Sequence, residues 1–329
     1  MIFLLGVAVA ATCSGDGYIE VKTTDKQSIC MHRRANDGPP VLLAHGISSN
    51  HRFWDLTETL SVSRYLHEQG YDVWNLDFRG HGQAIFNSAH PRQGWTIDSY
   101  GNYDLHAAIE HIHAIRKQPI GFIGHSLGGM AMAVYLATHG QQKLGCLILV
   151  ASPMDFAHPD PIWLLAGTGA RWSFLGINTA LLARLISYLP KTPFGIEQLI
   201  WNHQNIDPKI RKTMLQNIVS PMTRKELKQL AQTMNGQSFT SMDQREDYRK
   251  NLHKITIPSL FIAGRKDHIA PPDRVLAYHD AMGSKQKSFI VVSQAEGFSE
   301  NYGHLGYTLG KNAPSEVYPI FYRWLQDNL

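Results

Sequence analysis

A chain of 329 residues, 43% of them hydrophobic and 18% charged, can bury a large single core, or a core plus an inserted unit, and has a globular rather than a disordered or fibrous profile. Its formal net charge of +4, from 31 Lys and Arg against 27 Asp and Glu, comes without a dense basic run, which argues against nucleic acid as a partner. No apolar stretch reaches the roughly 18 residues that a membrane-spanning helix needs.

The chain opens on "MIFLLGVAVAATCSGD", residues 1–16, which reads in more than one way. Its apolar run and Ala8-x-Ala10 resemble a secretory signal, so the segment is cleaved on export, kept as an arm packed on the body, or in contact with lipid. No Lys or Arg precedes the run, which tilts the reading toward the cytoplasm. Cys13, Cys30 and Cys146 form no disulfide framework and have no metal-ligand spacing. Cys13 and Cys30 are free to pair in an oxidising compartment, although nothing in the sequence requires it. Cys146, inside "LGCLILVAS", reads as a small core residue.

In chain order, Tyr18 to Thr23 and Ser28 to Arg34 alternate as a β-hairpin around "TDKQ". Val41 to Gly46 is a wholly apolar run, as expected of a strand covered on both faces. A helix is expected from Phe53 to Gln69, stopped by Gly70. The strand Asp72 to Phe78, a helix from Ser99 to Lys117, the strand Ile120 to His125, a helix from Leu127 to His139 and the strand Cys146 to Ser152 follow. This alternation predicts an α/β fold with a mostly parallel, doubly wound sheet flanked by helices.

The pattern then breaks. From residue 157 to 257 the segments read as helices, rich in Trp, Leu and Ile at first and polar later. Alternation resumes with the strand Ser259 to Gly264, a helix from Pro272 to Met282, the strand Ser288 to Ser293 and a last helix from Ser315 to Leu325. The expected organisation is a core of residues 17–156 and 258–329, with a helical cap of residues 157–257 inserted between two core strands over the carboxyl edge of the sheet. There is no repeat and no low-complexity linker. The cap aromatics Trp163, Trp172, Phe174, Tyr188 and Trp201 read singly as core residues. Together they suggest a pocket for an apolar group, with Trp163, Trp172 and Trp201 as lining candidates.

The chemistry is carried by "GFIGHSLGG". Gly124-His125-Ser126-Leu127-Gly128 is G-x-S-x-G between a predicted strand and a predicted helix, a sharp turn that exposes a strained Ser and aims a helix N-terminus at developing negative charge. A Ser hydroxyl needs a base. Among 17 histidines position decides: His304, in "NYGHLGY", lies after the last strand, at the same sheet edge. Asp267, in "FIAGRKDHIAPP", is the acid that would orient it, and Asp155 after the fourth helix-flanked strand is the rival for that role. Two backbone N–H groups would form an oxyanion hole, one from Leu127 and one from Ile47 after "VLLAHG", with Gly46 as the alternative. His45 reads as structural, as do Asp77, Arg79 and His81 of "DFRGHG". His268 reads as a solvated loop residue, and "EHIH" (Glu110 to His113) lacks the i, i+4 histidine pair of a zinc helix.

The motifs "LLAHG", "DFRGHG", "GHSLGG", "GRKD" and "YGH" resemble, in order and spacing, those of the α/β-hydrolase superfamily, and cover nearly all of the chain outside the cap. The chain is also similar to the lipase-like branch that includes acid lipases. "DVWNLDFRG" and the C-terminal "YGHLGYTLGKNAPSEVYPIFYRWL" resemble the hydrolase-like part fused to some sterol-oxidising flavoenzymes. The resemblance implies hydrolysis of a small-molecule or lipid ester through a Ser126 acyl-enzyme, with no metal and no organic cofactor. An acyltransferase, a thioesterase or a carbon–carbon hydrolase would use the same three residues. Dehalogenases and epoxide hydrolases, which carry Asp at the position of Ser126, are disfavoured. A ligand receptor on this scaffold stays open as a reading without catalysis. So does transient contact with a lipid surface; oligomeric state is not legible.

Overall fold

The computed structural model describes residues 13–84, 94–156, 178–189, 200–234 and 238–329. Eight strands form one sheet: β1 (Tyr18–Lys22), β2 (Ser28–Arg34), β3 (Pro40–Ala44), β4 (Asp72–Asp77), β5 (Ile120–His125), β6 (Leu144–Val150), β7 (Ser259–Gly264) and β8 (Lys287–Val292). Their order across the sheet is β1-β2-β4-β3-β5-β6-β7-β8. The β1–β2 hairpin joins β4 antiparallel, and from β4 to β8 every pairing is parallel. Strands β3 to β7 are buried almost throughout, which is why "VLLA" and "SLFIAG" read as apolar runs rather than as alternating strands.

The chain leaves β3 toward β4 on one side and returns to β5 on the other, so β3 and β5 flank the switch point where open α/β sheets bind ligands. Helices α1 (Val62–Glu68), α2 (His106–Arg116) and α3 (Leu127–His139) connect these strands. Helix α3 is buried along ten of its thirteen positions, which suits a helix that is apolar all round.

Several boundaries move from the expected ones. The helix expected from Phe53 begins only at Val62, because Asp55 and Ser61 pair across a tight turn and the Ser61 hydroxyl caps the helix by accepting the Arg64 N–H. Helix α2 is entered through a turn at Ile97–Ser99 and a π-helical stretch at Tyr100–Leu105, and Lys117 ends it in a left-handed conformation. The C-terminal helix divides into Ala313–Glu316 and a longer Tyr318–Asn328. Cys13 is disulfide-bonded to Cys30, which resolves the pairing that the sequence leaves open and ties the chain ahead of β1 to β2. Cys146 is free and buried.

Between β6 and β7 the described residues are helical, with α4 (Thr179–Ile186), α5 (Pro208–Asn217), α6 (Arg224–Met234) and a turn at Tyr248–Asn251. Buried polar contacts dock this segment. The Tyr100 hydroxyl donates to Glu226 at 2.5 Å, the Ile97 N–H to Gln229 at 2.8 Å and the Tyr248 hydroxyl to Asp98 at 2.9 Å. The Asn50 and Ser48 side chains, in the loop after β3, donate to the carbonyls of Asn217 and Ser220 at 2.9 and 2.7 Å. The inserted helices therefore bear on the carboxyl edge of the sheet. Helix α7 (Pro272–Ala281) joins β7 to β8.

Candidate active site

Four loops leave the carboxyl edge carrying the residues singled out in the sequence. Ser126 follows β5 directly, Asp267 lies three residues past β7, His304 in the loop past β8, and Ile47 three residues past β3. Ser126 has φ 52° and ψ −119°, a strained conformation for a residue with a side chain. The turn holds because the chain comes too close around it for larger neighbours. A Cβ on Gly128 would lie 2.6 Å from the Ala44 carbonyl oxygen, and one on Gly124 would lie 2.6 Å from the Phe122 ring.

Ser126, His304 and Asp267 form one hydrogen-bonded line. The Nδ1–H of His304 donates to Asp267 Oδ2 at 2.9 Å, which leaves Nε2 to accept from the Ser126 hydroxyl, also at 2.9 Å. All three are buried to 5% exposure or less. Asp267 is held from both sides: its Oδ1 accepts the Ile269 and Ala270 N–H groups at 2.9 and 2.8 Å, and its Oδ2 also accepts the Tyr307 hydroxyl at 3.1 Å. Burial, and then the Asp267 charge, push the Tyr307 phenol well above its ordinary value, so it stays a donor. Asp155, the rival acid, is elsewhere, in an ion pair with Arg249 at 3.0 Å.

The N–H groups of Ile47 and Leu127 make no main-chain hydrogen bond among the described residues. Gly46 packs against Ser126, where a Cβ would come within 3.2 Å of the Ser126 Cβ. Leu127 is the first residue of α3, so its N–H has no partner within the helix. Ser126, His304 and Asp267 thus form one hydrogen-bonded line at the carboxyl edge, with Gly46 and the start of α3 packed beside Ser126.

Two buried histidines frame this geometry, and sequence alone gives no signal of the part played by one of them. His125 stacks on Phe53, with ring centroids 4.3 Å apart, and its Nε2–H donates to the main-chain carbonyl of His304 at 2.8 Å. The residue beside the Ser therefore holds the backbone of the histidine that pairs with it. His45 donates from Nδ1 to the Gly46 carbonyl at 2.8 Å and accepts the Phe78 N–H at 3.3 Å, which fixes the loop ahead of Ile47. Asp77 accepts the His51 N–H, the His51 ring and the Gln83 N–H at 2.7 to 2.8 Å, and Arg79 is paired with Asp104 and Asp25. The "DFRGHG" residues are thus scaffolding, as is His45. His268 is exposed, and Glu110 is engaged by Lys143.

Burial pushes the His45 imidazole down to about 3 and that of His125 well below the usual 6.5. Both are neutral in the folded protein, whereas in the unfolded chain they titrate normally. Unfolding therefore takes up protons at any pH between the two values, so stability is complete above about pH 6.5 and falls as pH drops through that window. His45 alone should cost about 2 kcal/mol between about pH 7 and about pH 5, with a further loss of the same sign from His125. Urea midpoints at the two pH values check this; a level midpoint would mean that the two rings are hydrated.

Of the expected lining residues, Trp201 is buried, with its backbone packed on Gly303 beside His304. Trp163, Trp172 and Phe174 lie outside the described residues. Tyr188 departs from the core placement expected of it: it is 72% exposed, because the part of the chain that it follows turns small residues inward.

A mostly parallel eight-stranded sheet with these residues on its carboxyl edge defines an α/β hydrolase. A family model described as "alpha/beta hydrolase fold" matches residues 39–302, and the chain belongs to that family. Within it, the relatives include esterases and lipases. The chain is 22% identical over 337 residues to triacylglycerol lipase 1 of Arabidopsis thaliana, covering 91% of this chain and 84% of that one. It is 24% identical to lipase 1 of Drosophila melanogaster, covering 82% and 69%. A higher identity, 38%, to Arabidopsis triacylglycerol lipase 2 is confined to 106 residues, 29% of this chain and 25% of that protein. Among solved structures, an esterase from Exiguobacterium antarcticum matches with a TM-score of 0.64 at 18% identity, over 93% of this chain and 98% of that one. A Thermogutta terrifontis esterase matches at 0.60 and 21%, over 94% and 98%.

Proposed function

We propose that the protein hydrolyses carboxylic esters of apolar acyl groups through an acyl-enzyme on Ser126. The hydrogen-bonded line from Ser126 through His304 to Asp267 carries this reading. His304 Nε2 takes the hydroxyl proton as Ser126 Oγ attacks the ester carbonyl, and Asp267 stabilises the imidazolium that forms. The carbonyl oxygen becomes an oxyanion held by the N–H groups of Ile47 and Leu127, with the N-terminus of α3 behind it. His304 then protonates the leaving alcohol. Water, activated by the same imidazole, attacks the acyl-enzyme, and collapse of the second tetrahedral intermediate releases the acid and restores the Ser126 hydroxyl. In this reading the acyl pocket lies beside Trp201, whose backbone packs on Gly303 next to His304.

The test is hydrolysis of p-nitrophenyl esters from acetate to palmitate, with peptide mass spectrometry after exposure to a fluorophosphonate. Turnover with a single adduct on the Ser126 peptide is expected, and the preferred chain length measures the pocket. A protein that is inert on every ester and unlabelled at Ser126 would sink the proposal and favour a receptor on this scaffold.

A further inference from the structure

Helix α4 has its polarity reversed. The side chains that it turns toward the body are mostly small: Ala183 is buried, as is Ser187 just past its end, and Thr179, Ala180 and the larger Ile186, which packs on the core, are half-buried. Its three leucines point outward, with Leu181, Leu182 and Leu185 exposed by 55, 52 and 62%, followed by Tyr188 at 72% and Leu189 at 45%. A surface helix normally turns its apolar stripe to the core, and a contiguous exposed apolar face marks a binding surface.

The surroundings are basic. Arg184 on α4 and Lys209 and Lys212 on α5 are exposed, and the Lys212 ammonium lies 5.0 Å over the Tyr188 ring. By sequence, residues 157–257 hold thirteen Lys and Arg against seven Asp and Glu, whereas the rest of the chain holds eighteen against twenty. The mild charge of the whole protein therefore conceals a basic unit on a slightly acidic body.

The same helix starts at the rim of the candidate active site. The Thr179 hydroxyl donates to the Ser220 carbonyl at 2.5 Å and lies 2.9 Å from the hydroxyl of Ser48, the residue after Ile47.

We propose that the outward face of α4, with Tyr188 and Leu189, docks the protein on an anionic lipid surface. The apolar side chains enter the acyl boundary and the flanking Lys and Arg meet acidic headgroups. A second copy of the chain is the weaker occupant, since face-to-face pairing would bring Arg184, Lys209 and Lys212 of each copy together. Taken with the ester-hydrolase reading, on which this last step rests, docking places the site beside amphiphilic esters that reside in the bilayer.

The test is sedimentation of the full-length protein with vesicles of phosphatidylcholine alone or mixed with phosphatidylglycerol. Binding is expected to the mixed vesicles and to weaken at ~0.5 M salt, where charges are screened within a few ångströms. The double change Leu182→Asp with Leu185→Asp should weaken it at least about tenfold, with the thermal midpoint unchanged because both side chains are exposed. Lys209→Glu with Lys212→Glu should remove the preference for phosphatidylglycerol. The proposal is overturned if neither vesicle is bound, if both are bound equally, or if the Leu variant binds like the wild type. It also falls if light scattering shows a dimer that the Leu variant abolishes while vesicles are ignored, which would assign the face to self-association. Binding is scored in Ser126→Ala as well, and soluble-ester turnover in the wild type, so a failure of docking and a failure of the hydrolase reading are told apart.

Discussion

Ser126→Ala is expected to lower kcat on a good ester by about 10⁵- to 10⁶-fold while leaving KM within a few-fold. The reason is geometric. In the proposed mechanism Ser126 Oγ is the atom through which the His304 imidazole and the Asp267 carboxylate act on a substrate, and without it the base has nothing to activate but water. Asp267→Asn should cost nearly as much, about 10⁴-fold. The amide still fills the space and accepts from Ile269 and Ala270. It also offers an N–H to His304 Nδ1, and that favours the tautomer with the proton on Nε2, where it blocks deprotonation of Ser126. A double variant should be no worse than Ser126→Ala alone, because residues that act as one unit do not add. Steady-state kinetics on p-nitrophenyl butyrate measure all three. An Asp267→Asn enzyme of near-normal kcat would require a different acid.

Gly128→Ala is expected to destabilise the fold by about 3 kcal/mol, at the upper end for overpacking, and to cripple turnover at the same time. The added methyl would sit 2.6 Å from the Ala44 carbonyl oxygen and 2.7 Å from that of His45. Both atoms are backbone: Ala44 ends β3, which pairs with strands on both sides, and His45 is the next residue, held by its ring bonds to Gly46 and Phe78, so neither yields cheaply. Relief requires α3 to lift away from the end of β3. That movement shifts the N–H of Leu127 relative to that of Ile47, and the proposed oxyanion hole would lose its geometry. Urea unfolding and kcat, measured on the same preparation, check the two halves. Lost stability with normal kcat would mean that the pair of N–H groups is not used.

The legible parts of this molecule are those that local chemistry decides. Wholly apolar runs such as Val41 to Ala44 and Leu260 to Ala263 belong to strands covered on both faces, and Gly-x-Ser-x-Gly at a strand-to-helix turn marks the strained residue. Ser126, Asp267 and His304, picked out by their places after successive strands, are the three that the fold joins, with His304 between the other two. What was not legible depends on long-range contact. The helix expected from Phe53 starts late because a turn closed by Asp55 and Ser61 intervenes, a pairing with no periodic signal. Nothing in "GHSLGG" says that its histidine supports a carbonyl 179 residues away. Tyr188 is exposed although an aromatic in an apolar stretch looks like core, because nothing local tells which neighbours would cover it. The Cys13–Cys30 bond depends on how the hairpin folds back, which spacing does not encode.

The loop that bears His304 is stitched to the segment just before α5. The Asn202 side chain donates to the Asn301 carbonyl at 2.7 Å, the Leu305 N–H to the Ile200 carbonyl at 3.3 Å and the Lys311 N–H to the Asn205 carbonyl at 2.8 Å. For protein engineering this sets the splice points. A chimera that replaces everything between β6 and β7 with the corresponding region of a relative would also discard residues 200–205, and the base would lose its moorings. Exchange of substrate preference between members of this family therefore calls for junctions that leave 200–205 with their own 301–311, or for transplanting both stretches as a matched pair.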